Sequence, residues 1–232
     1  MKYFGEGLSE QHKELGKIIR KKDKFNDAVK LFLAVHEKLH LSEISTGEPN
    51  EVDKLLNDMS PQKYCIMPTA KDETIAWALW HIARIEDLTM NILVDSAEQV
   101  FDHQWQEKIN VHISDTGNAL SDDEIMLLSR NINISELLAY RNAVGKRTRE
   151  ILQSLSADDM KREVSANDLE KIRLTGGVTA QEDSIWLLDF WGKKDVAGLL
   201  LMPPTRHVIL HLNDCCKWKQ QIQAKRNFYR TE

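Results

Sequence analysis

Two histidine pairs in this chain have a spacing that suits a metal ion. His207 and His211 lie four residues apart in "PTRHVILHLNDCCKW", and His36 and His40 have the same spacing in "HEKLH". On a helix, four residues correspond to about 40° of rotation and about 6 Å of rise, so both imidazoles of a pair can reach one point beside the helix. Divalent metal ions are often held in this way by two ligands on one element.

The face that carries His207 and His211 mixes large apolar side chains with polar ones. It continues through Leu210, Asp214, Cys215 and Trp218. We therefore expect this face to point inward, where an imidazole without a partner would be costly. The pair predicts a metal site. The alternative is two core histidines, each hydrogen-bonded to a carbonyl or a carboxylate.

His81 is the candidate for a third ligand. It lies in "ALWHIARIED", at the centre of the most hydrophobic segment of the chain. Its helical stripe includes Trp77, Ala78, Arg84, Ile85 and Leu88. A single histidine on such a face is more often a core residue than a ligand, but here it would face the same interior as His207 and His211. Three neutral imidazoles leave a coordination position open, which is typical of catalytic metal sites.

The remaining histidines have plainer interpretations. His36 and His40 are predicted to line the pocket or lie at the surface rather than bind the metal; holding a substrate or forming a second site are the alternatives. His12, His103 and His112 fall in weakly patterned regions and are predicted to be exposed.

Other groups near the predicted site have two interpretations each. Cys215 follows His211 by four residues, so it is either a thiolate ligand or, as we favour, a small buried residue. Asp214 is a candidate for orienting a ligand imidazole. Glu86 and Asp87 could do the same from the other helix, or they could belong to a solvated face.

The hydrophobic pattern is that of an all-α protein, with almost no strand alternation. We predict long helices over residues 9–41, broken near 22–24, from Thr69 through 94, from Asn133 through 155, and from about Arg206 to about Arg226 with Thr205 as its cap. Shorter helices are predicted at 51–59 and within 179–191, where Thr179 and Glu182 form a capping pair. Four long amphipathic helices with additional short ones predict an antiparallel four-helix bundle.

Composition and motifs exclude several functions. The net charge is −5, and the best basic run, residues 16–25, is explained by a solvated helix face, so nucleic acid is disfavoured. No apolar run approaches the ~18 residues of a membrane span, and no secretory leader is visible. Three cysteines with one adjacent pair do not form a disulfide framework, so a reducing cytoplasm is expected. Val208 follows His207, so the HExxH motif of zinc peptidases is absent, as are nucleophile-elbow, P-loop and dinucleotide motifs.

The arrangement resembles the DinB/YfiT-like family of metal-binding four-helix bundles. That family places one ligand histidine in its second helix and an HxxxH pair in its fourth, which match His81 in "TIAWALWHIARIED" and His207 with His211 in "TRHVILH". The resemblance covers most of residues 25–226. It implies a single DinB-like domain over residues 1–232, and the long separation of His81 from His207 implies insertions near 96–131 and 158–200.

The resemblance also implies an activity. Members of the family include thiol S-transferases, so a metal-bound low-molecular-weight thiol that attacks a small-molecule electrophile, in detoxification or stress response, is the favoured hypothesis. Metal-dependent hydrolysis of an amide or ester is the alternative, although no general base is apparent beside the site. A non-catalytic helical interaction module is the third hypothesis. Zinc, nickel or iron would suit the ligands. The chain is expected to be a monomer or a homodimer formed through Trp105 or Trp191.

Overall fold

The computed structural model describes residues 3–225 and 227–232, and in these ranges the regular secondary structure is helical. The helices are α1 Leu8–Ile18, α2 Phe25–Glu37, α3 Glu51–Leu56, α4 Pro61–Tyr64, α5 Ile75–Asp87, α6 His103–Ile109, α7 Asp122–Asn131, α8 Ile134–Ser154, α9 Ala166–Leu174, α10 Glu182–Gly192, α11 Val196–Leu200 and α12 Val208–Gln223. Two π-helical segments adjoin long helices: Leu88–Val94 continues α5, and Met202–His207 leads into α12. The predicted all-α class is confirmed.

Helix α5 is the central element of the fold. Every one of its residues is buried, and it packs against α8 and α12, while α2 packs against α8. Its first part, from Ile75 to Ala83, belongs to one apolar core, and Ile85 with the following π-helical segment belongs to a second. The two ends of α5 therefore contribute to different parts of the interior. The antiparallel order of the four long helices, and a single domain over the whole chain, stay predictions.

The predicted start of α5 at Thr69 is wrong. The helix begins at Ile75, where the hydroxyl of Thr74 accepts a hydrogen bond from the backbone N–H of Trp77 at 3.0 Å. Thr69 instead donates its hydroxyl to the Asp72 carboxylate at 2.6 Å, and this bond closes a separate turn. Both threonines suit a helix N-terminus, and the one directly before the continuous apolar run is the cap.

The start of the last helix also differs from the prediction. Thr205 is buried and donates its hydroxyl to the carbonyl of Leu200 at 2.8 Å, so it does not cap α12. The π-helical segment carries the chain through Pro203 and Pro204 directly into α12. As a result His207 is the last residue of that segment and His211 lies one turn further on. The predicted end near Arg226 lies outside the described residues; α12 is described to Gln223.

Other predicted helix boundaries agree more closely with the structure. The break near 22–24 is confirmed, because α1 ends at Ile18 and α2 begins at Phe25. Asn133 caps α8 by accepting from the N–H of Glu136. The helix within 179–191 is confirmed as α10, but the Thr179 side chain contacts Gln181 rather than capping the helix. In the described part of the chain, no helix combines the length and the apolar character needed to cross a membrane.

Candidate metal centre

Three imidazoles from α5 and the start of α12 meet at one point. The Nε2 atom of His207 lies 3.1 Å from Nε2 of His81 and 3.1 Å from Nε2 of His211. His81 and His207 are 126 positions apart in the chain, so the fold alone brings them together. We call this group the three-histidine cluster. The three residues predicted as ligands are thus the ones that converge.

The spacing of these nitrogens fits a bound divalent metal ion. With metal–nitrogen distances of about 2.0–2.1 Å, two ligands at octahedral or tetrahedral angles are about 2.8–3.4 Å apart. Both measured separations are 3.1 Å and fall inside that range. The residues present therefore fit a transition-metal cation.

The protonation of His81 is fixed by a backbone partner. Its Nδ1 atom lies 2.8 Å from the carbonyl oxygen of Thr116, which can only accept, so Nδ1 carries the proton. Burial lowers the pKa of His81 to about 3 and that of His211 to about 4, and burial also lowers the pKa of His207. The rings are neutral near pH 7, and His81 directs the lone pair of Nε2 at the other two. This is how metal-binding histidines are usually oriented.

A loop between α6 and α7 holds the first ligand in place. Trp77 stacks on His81, with ring centroids 4.6 Å apart and an interplanar angle of 11°. The indole N–H of Trp77 donates to the carbonyl of Gly117 at 3.0 Å. Gly117 has a φ of +75°, and a Cβ atom there would lie 2.9 Å from the indole nitrogen. Thr116 and Gly117 thus position His81 directly and through Trp77, a role that the sequence did not reveal.

The three-histidine cluster opens into a pocket of about 510 Å³. Its other lining residues are Ala70, Lys71, Asp72, Glu73, Trp77, Gly117, Asn118, Leu120, Asp122 and Ile125. Glu73 is half-buried, and its pKa is raised by burial and by the nearby carboxylates of Asp214, Asp72 and Asp122. The pocket therefore contains a carboxylate suited to accept a proton, which sequence reasoning missed.

Comparison with known protein families identifies the superfamily of the chain. The sequence profile of the DinB superfamily matches residues 46–183, which is more than half of the chain. The chain belongs to the DinB superfamily. The matched part of this DinB-superfamily chain includes His81 and ends before His207 and His211. No curated protein matches the sequence significantly.

Asp214 and Cys215, candidates for a role at the three-histidine cluster, are not bonded to its histidines in the described part of the chain. Asp214 forms no hydrogen bond with His207 or His211 in the described part of the chain; the Nδ1 atoms of both histidines are buried without a partner there. Cys215 is fully buried outside the cluster, and burial raises the pKa of its thiol, which agrees with a small buried residue. Trp218 points inward as predicted, whereas Leu210 is 44% exposed.

His36 and His40 are neither at the surface nor in the pocket of the three-histidine cluster. Both are fully buried, and both direct Nε2 at the carboxylate of Glu86, at 2.8 and 3.1 Å. We call these three residues the histidine–glutamate cluster. Helix α2 ends at Glu37, so His40 lies just beyond the helix that was predicted to carry it.

Glu86 and Asp87 are buried, so the solvated face predicted as their alternative is wrong. Asp87 accepts from Arg84, from the Tyr140 hydroxyl at 2.6 Å and from two backbone N–H groups. Glu86 accepts hydrogen bonds from His36 and His40. In the described part of the chain neither carboxylate is bonded to a histidine of the three-histidine cluster.

The remaining predictions concern exposure. His103 and His112 are exposed, but His12 is partly buried and its Nε2 donates to the carbonyl of Leu201 at 2.7 Å. Trp191 is 1% exposed and belongs to the core, so the prediction that it serves a dimer contact is wrong. Trp105 is partly buried and stays the predicted contact.

Proposed function

We propose that His81, His207 and His211 bind one divalent transition metal ion, and that the protein is a metal-dependent enzyme that transfers a low-molecular-weight thiol to an electrophile. The observation that carries the proposal is the approach of three imidazole Nε2 atoms, at two separations of 3.1 Å, at the wall of an open pocket. Imidazole ligands suit zinc, nickel and iron alike.

His81, His207 and His211 would hold the divalent cation, which would lower the pKa of a thiol bound there and so supply the thiolate needed for attack. The protein contributes the rest. Glu73 lines the same pocket and is the group that accepts the thiol proton. The sulfur then forms a bond to the electrophilic carbon, and the displaced group leaves with its electron pair. Trp77 and the Thr116 carbonyl keep His81 in one orientation throughout.

Glu73 also supports a second candidate, metal-dependent hydrolysis of an amide or ester. The sequence offered no general base beside the metal, and the half-buried Glu73 carboxylate, with its raised pKa, fills that role for a water molecule. The two candidates use the same residues and differ in the nucleophile. The third hypothesis, a non-catalytic interaction module, requires that the pocket carry no metal-dependent activity.

The setting of the proposed enzyme follows from charge and cysteine state. We propose a small-molecule substrate rather than nucleic acid, because the net charge is −5 and the lining of the pocket carries more carboxylates than amines. In the described part of the chain Cys65, Cys215 and Cys216 form no disulfide, which suits a reducing cytoplasm. A homodimer is a proposal that size-exclusion chromatography with light scattering decides.

One assay separates the three hypotheses. Protein stripped of metal by dialysis and reloaded with zinc, nickel or iron would be tested for conjugation of cysteine to 1-chloro-2,4-dinitrobenzene and for hydrolysis of p-nitrophenyl acetate. The thiol transferase predicts conjugation that appears only with metal and falls in Glu73→Gln. Metal-dependent hydrolysis alone supports the second candidate. If metal changes neither rate, both enzymatic proposals fail and the interaction module is favoured.

A further inference from the structure

The histidine–glutamate cluster presents a second set of metal-ligand side chains, away from the pocket. His36 comes from α2, His40 from the turn after it, and Glu86 from α5. The two Nε2 atoms lie 2.8 and 3.1 Å from separate oxygens of the one carboxylate, and all three donor groups lie within 4.8 Å of one another. Exposure of each residue is 0 or 1%.

Neighbouring residues hold these donors in fixed orientations. Phe32 stacks on His36, with ring centroids 5.5 Å apart and an interplanar angle of 15°. The ring of His40 occupies the space that a side chain at Gly145 would fill, because a Cβ atom there would lie 2.6 Å from His40 Nδ1. Thr148 donates its hydroxyl to Glu86 at 2.8 Å. Residues from α2, α5 and α8 thus shape this cluster.

Glu86 is a buried carboxylate, and its hydrogen-bond donors are the two imidazoles and the Thr148 hydroxyl. A buried carboxylate is costly unless a cation or several donors offset its charge. Arg141 is buried in the same region and its charge attracts that of Glu86, but its hydrogen bond goes to the Leu39 carbonyl, and none to Glu86 is found in the described part of the chain. Two of the guanidinium nitrogens, Nε and Nη1, lack a partner there. A cation between the two imidazoles and the carboxylate would offset the charge at its centre.

We propose that His36, His40 and Glu86 form a second divalent-cation site, independent of the three-histidine cluster. Two imidazoles and one carboxylate are a ligand set that zinc accepts in proteins, and Thr148 supplies the outer hydrogen bond to the ligand carboxylate. Because the cluster is sealed from solvent, the cation enters as the chain folds and leaves only through opening of the core.

The test is a metal count on protein produced in cobalt-supplemented medium, so that the metal is present during folding. We expect about two cobalt ions per chain in the wild type, one for each three-ligand site. The double variant His207→Ala/His211→Ala is expected to keep about one. Adding Glu86→Gln, which preserves the shape but replaces one carboxylate oxygen by an NH2 donor and removes the charge, is expected to remove it. His103→Ala, an exposed histidine outside both sites, is the matched control and should lose none.

Chelation kinetics provide a second measurement on the same samples. Excess EDTA should remove cobalt from the open pocket quickly and from the buried cluster slowly, and Glu86→Gln should delete the slow phase alone. If the double variant contains no cobalt while the wild type contains one ion, the buried cluster only stabilises the fold through hydrogen bonds, and the proposal is wrong. That outcome leaves the three-histidine proposal intact. A wild type without cobalt contradicts both proposals. If Glu86→Gln does not fold, His36→Gln replaces it.

Discussion

The three-histidine cluster and the histidine–glutamate cluster use similar donors in opposite settings. The first lies at the wall of an open pocket of about 510 Å³, and the second is sealed by α2, α5 and α8. Both take one residue from α5, where His81 and Glu86 are five positions apart and therefore about 140° apart around the helix axis. The two clusters therefore differ more in solvent access than in ligand chemistry. The open cluster can contact a substrate, whereas the sealed one can only stabilise the fold.

The largest effect on metal content and activity is expected from removing a ligand histidine at the open pocket. His207→Ala should strip the metal there and lower metal-dependent turnover at least 100-fold, since loss of an outer partner alone costs about 10–100-fold. Elemental analysis and a thiol-conjugation assay measure the two effects, with His103→Ala as control. Circular dichroism should show the helical content largely preserved. Full metal occupancy in His207→Ala would remove His207 from the ligand set.

Acid should destabilise the metal-free protein through its buried histidines. Burial lowers the pKa of His40 and of His81 to about 3, below the value of about 6.5 in the unfolded chain. The unfolded state therefore binds protons first, so stability is fully present above about pH 6.5 and is lost as the pH falls from there towards 3. Each such histidine contributes a slope of about 1.4 kcal/mol per pH unit in that window.

Urea titrations between pH 7 and pH 5 test this expectation. His81→Gln should reduce the change in unfolding free energy over this interval by the share of one histidine, about 2 kcal/mol. Metal-loaded wild type should resist acid better than the metal-free protein, because the bound cation competes with protons for the same nitrogens. An unchanged slope in His81→Gln would show that this ring is not held neutral.

Gly145→Ala should disturb the histidine–glutamate cluster and leave the three-histidine cluster unchanged. Its Cβ would lie 2.6 Å from His40 Nδ1, so we expect a loss of about 1–3 kcal/mol in unfolding free energy from overpacking. Chemical denaturation measures it. Gly16→Ala is the matched control: Gly16 lies within α1 with no atom within 4 Å of the added Cβ, and alanine there should stabilise the helix slightly. Equal stability of the two variants would contradict the close packing of His40.

The sequence predicted one cluster and only half of the other. His81, His207 and His211 were identifiable because an HxxxH pair on a mixed face and a histidine in the most apolar helix both require a common partner. Glu86 was considered only as a partner of the ligand imidazoles or as part of a solvated face. Its contacts with His36 and His40 span 50 and 46 positions and follow from the packing of α2 on the bundle.

The sequence did not reveal two further residues of the site, Glu73 and Thr116. Placing the start of α5 at Thr69 put Glu73 inside a helix, whereas it lies before the helix, on the pocket wall. Thr116 acts through its carbonyl, which every residue type possesses, so no side-chain pattern could have identified it. The all-α class was predictable because it depends on periodicity over long segments.

The smallest effect is expected from weakening the contacts that hold His81 in place. Trp77→Phe keeps a ring beside His81 but loses the hydrogen bond to Gly117, and we expect metal affinity to fall by about 10-fold, as for other outer partners of ligand histidines. Competition with a fluorescent chelator measures the affinity. Trp186→Phe, at an exposed tryptophan on α10, is the matched control. Equal affinities in the two variants would indicate that Trp77 does not hold His81.

X-ray absorption at the zinc edge tests the central claim most directly. In the zinc-loaded Glu86→Gln variant, whose sealed cluster lacks its carboxylate, the three-histidine account predicts a spectrum with three imidazole nitrogens at about 2.0–2.1 Å from the metal. Zinc bound through sulfur or through oxygen alone, or no tightly bound zinc at all, would contradict the claim that His81, His207 and His211 form the metal centre.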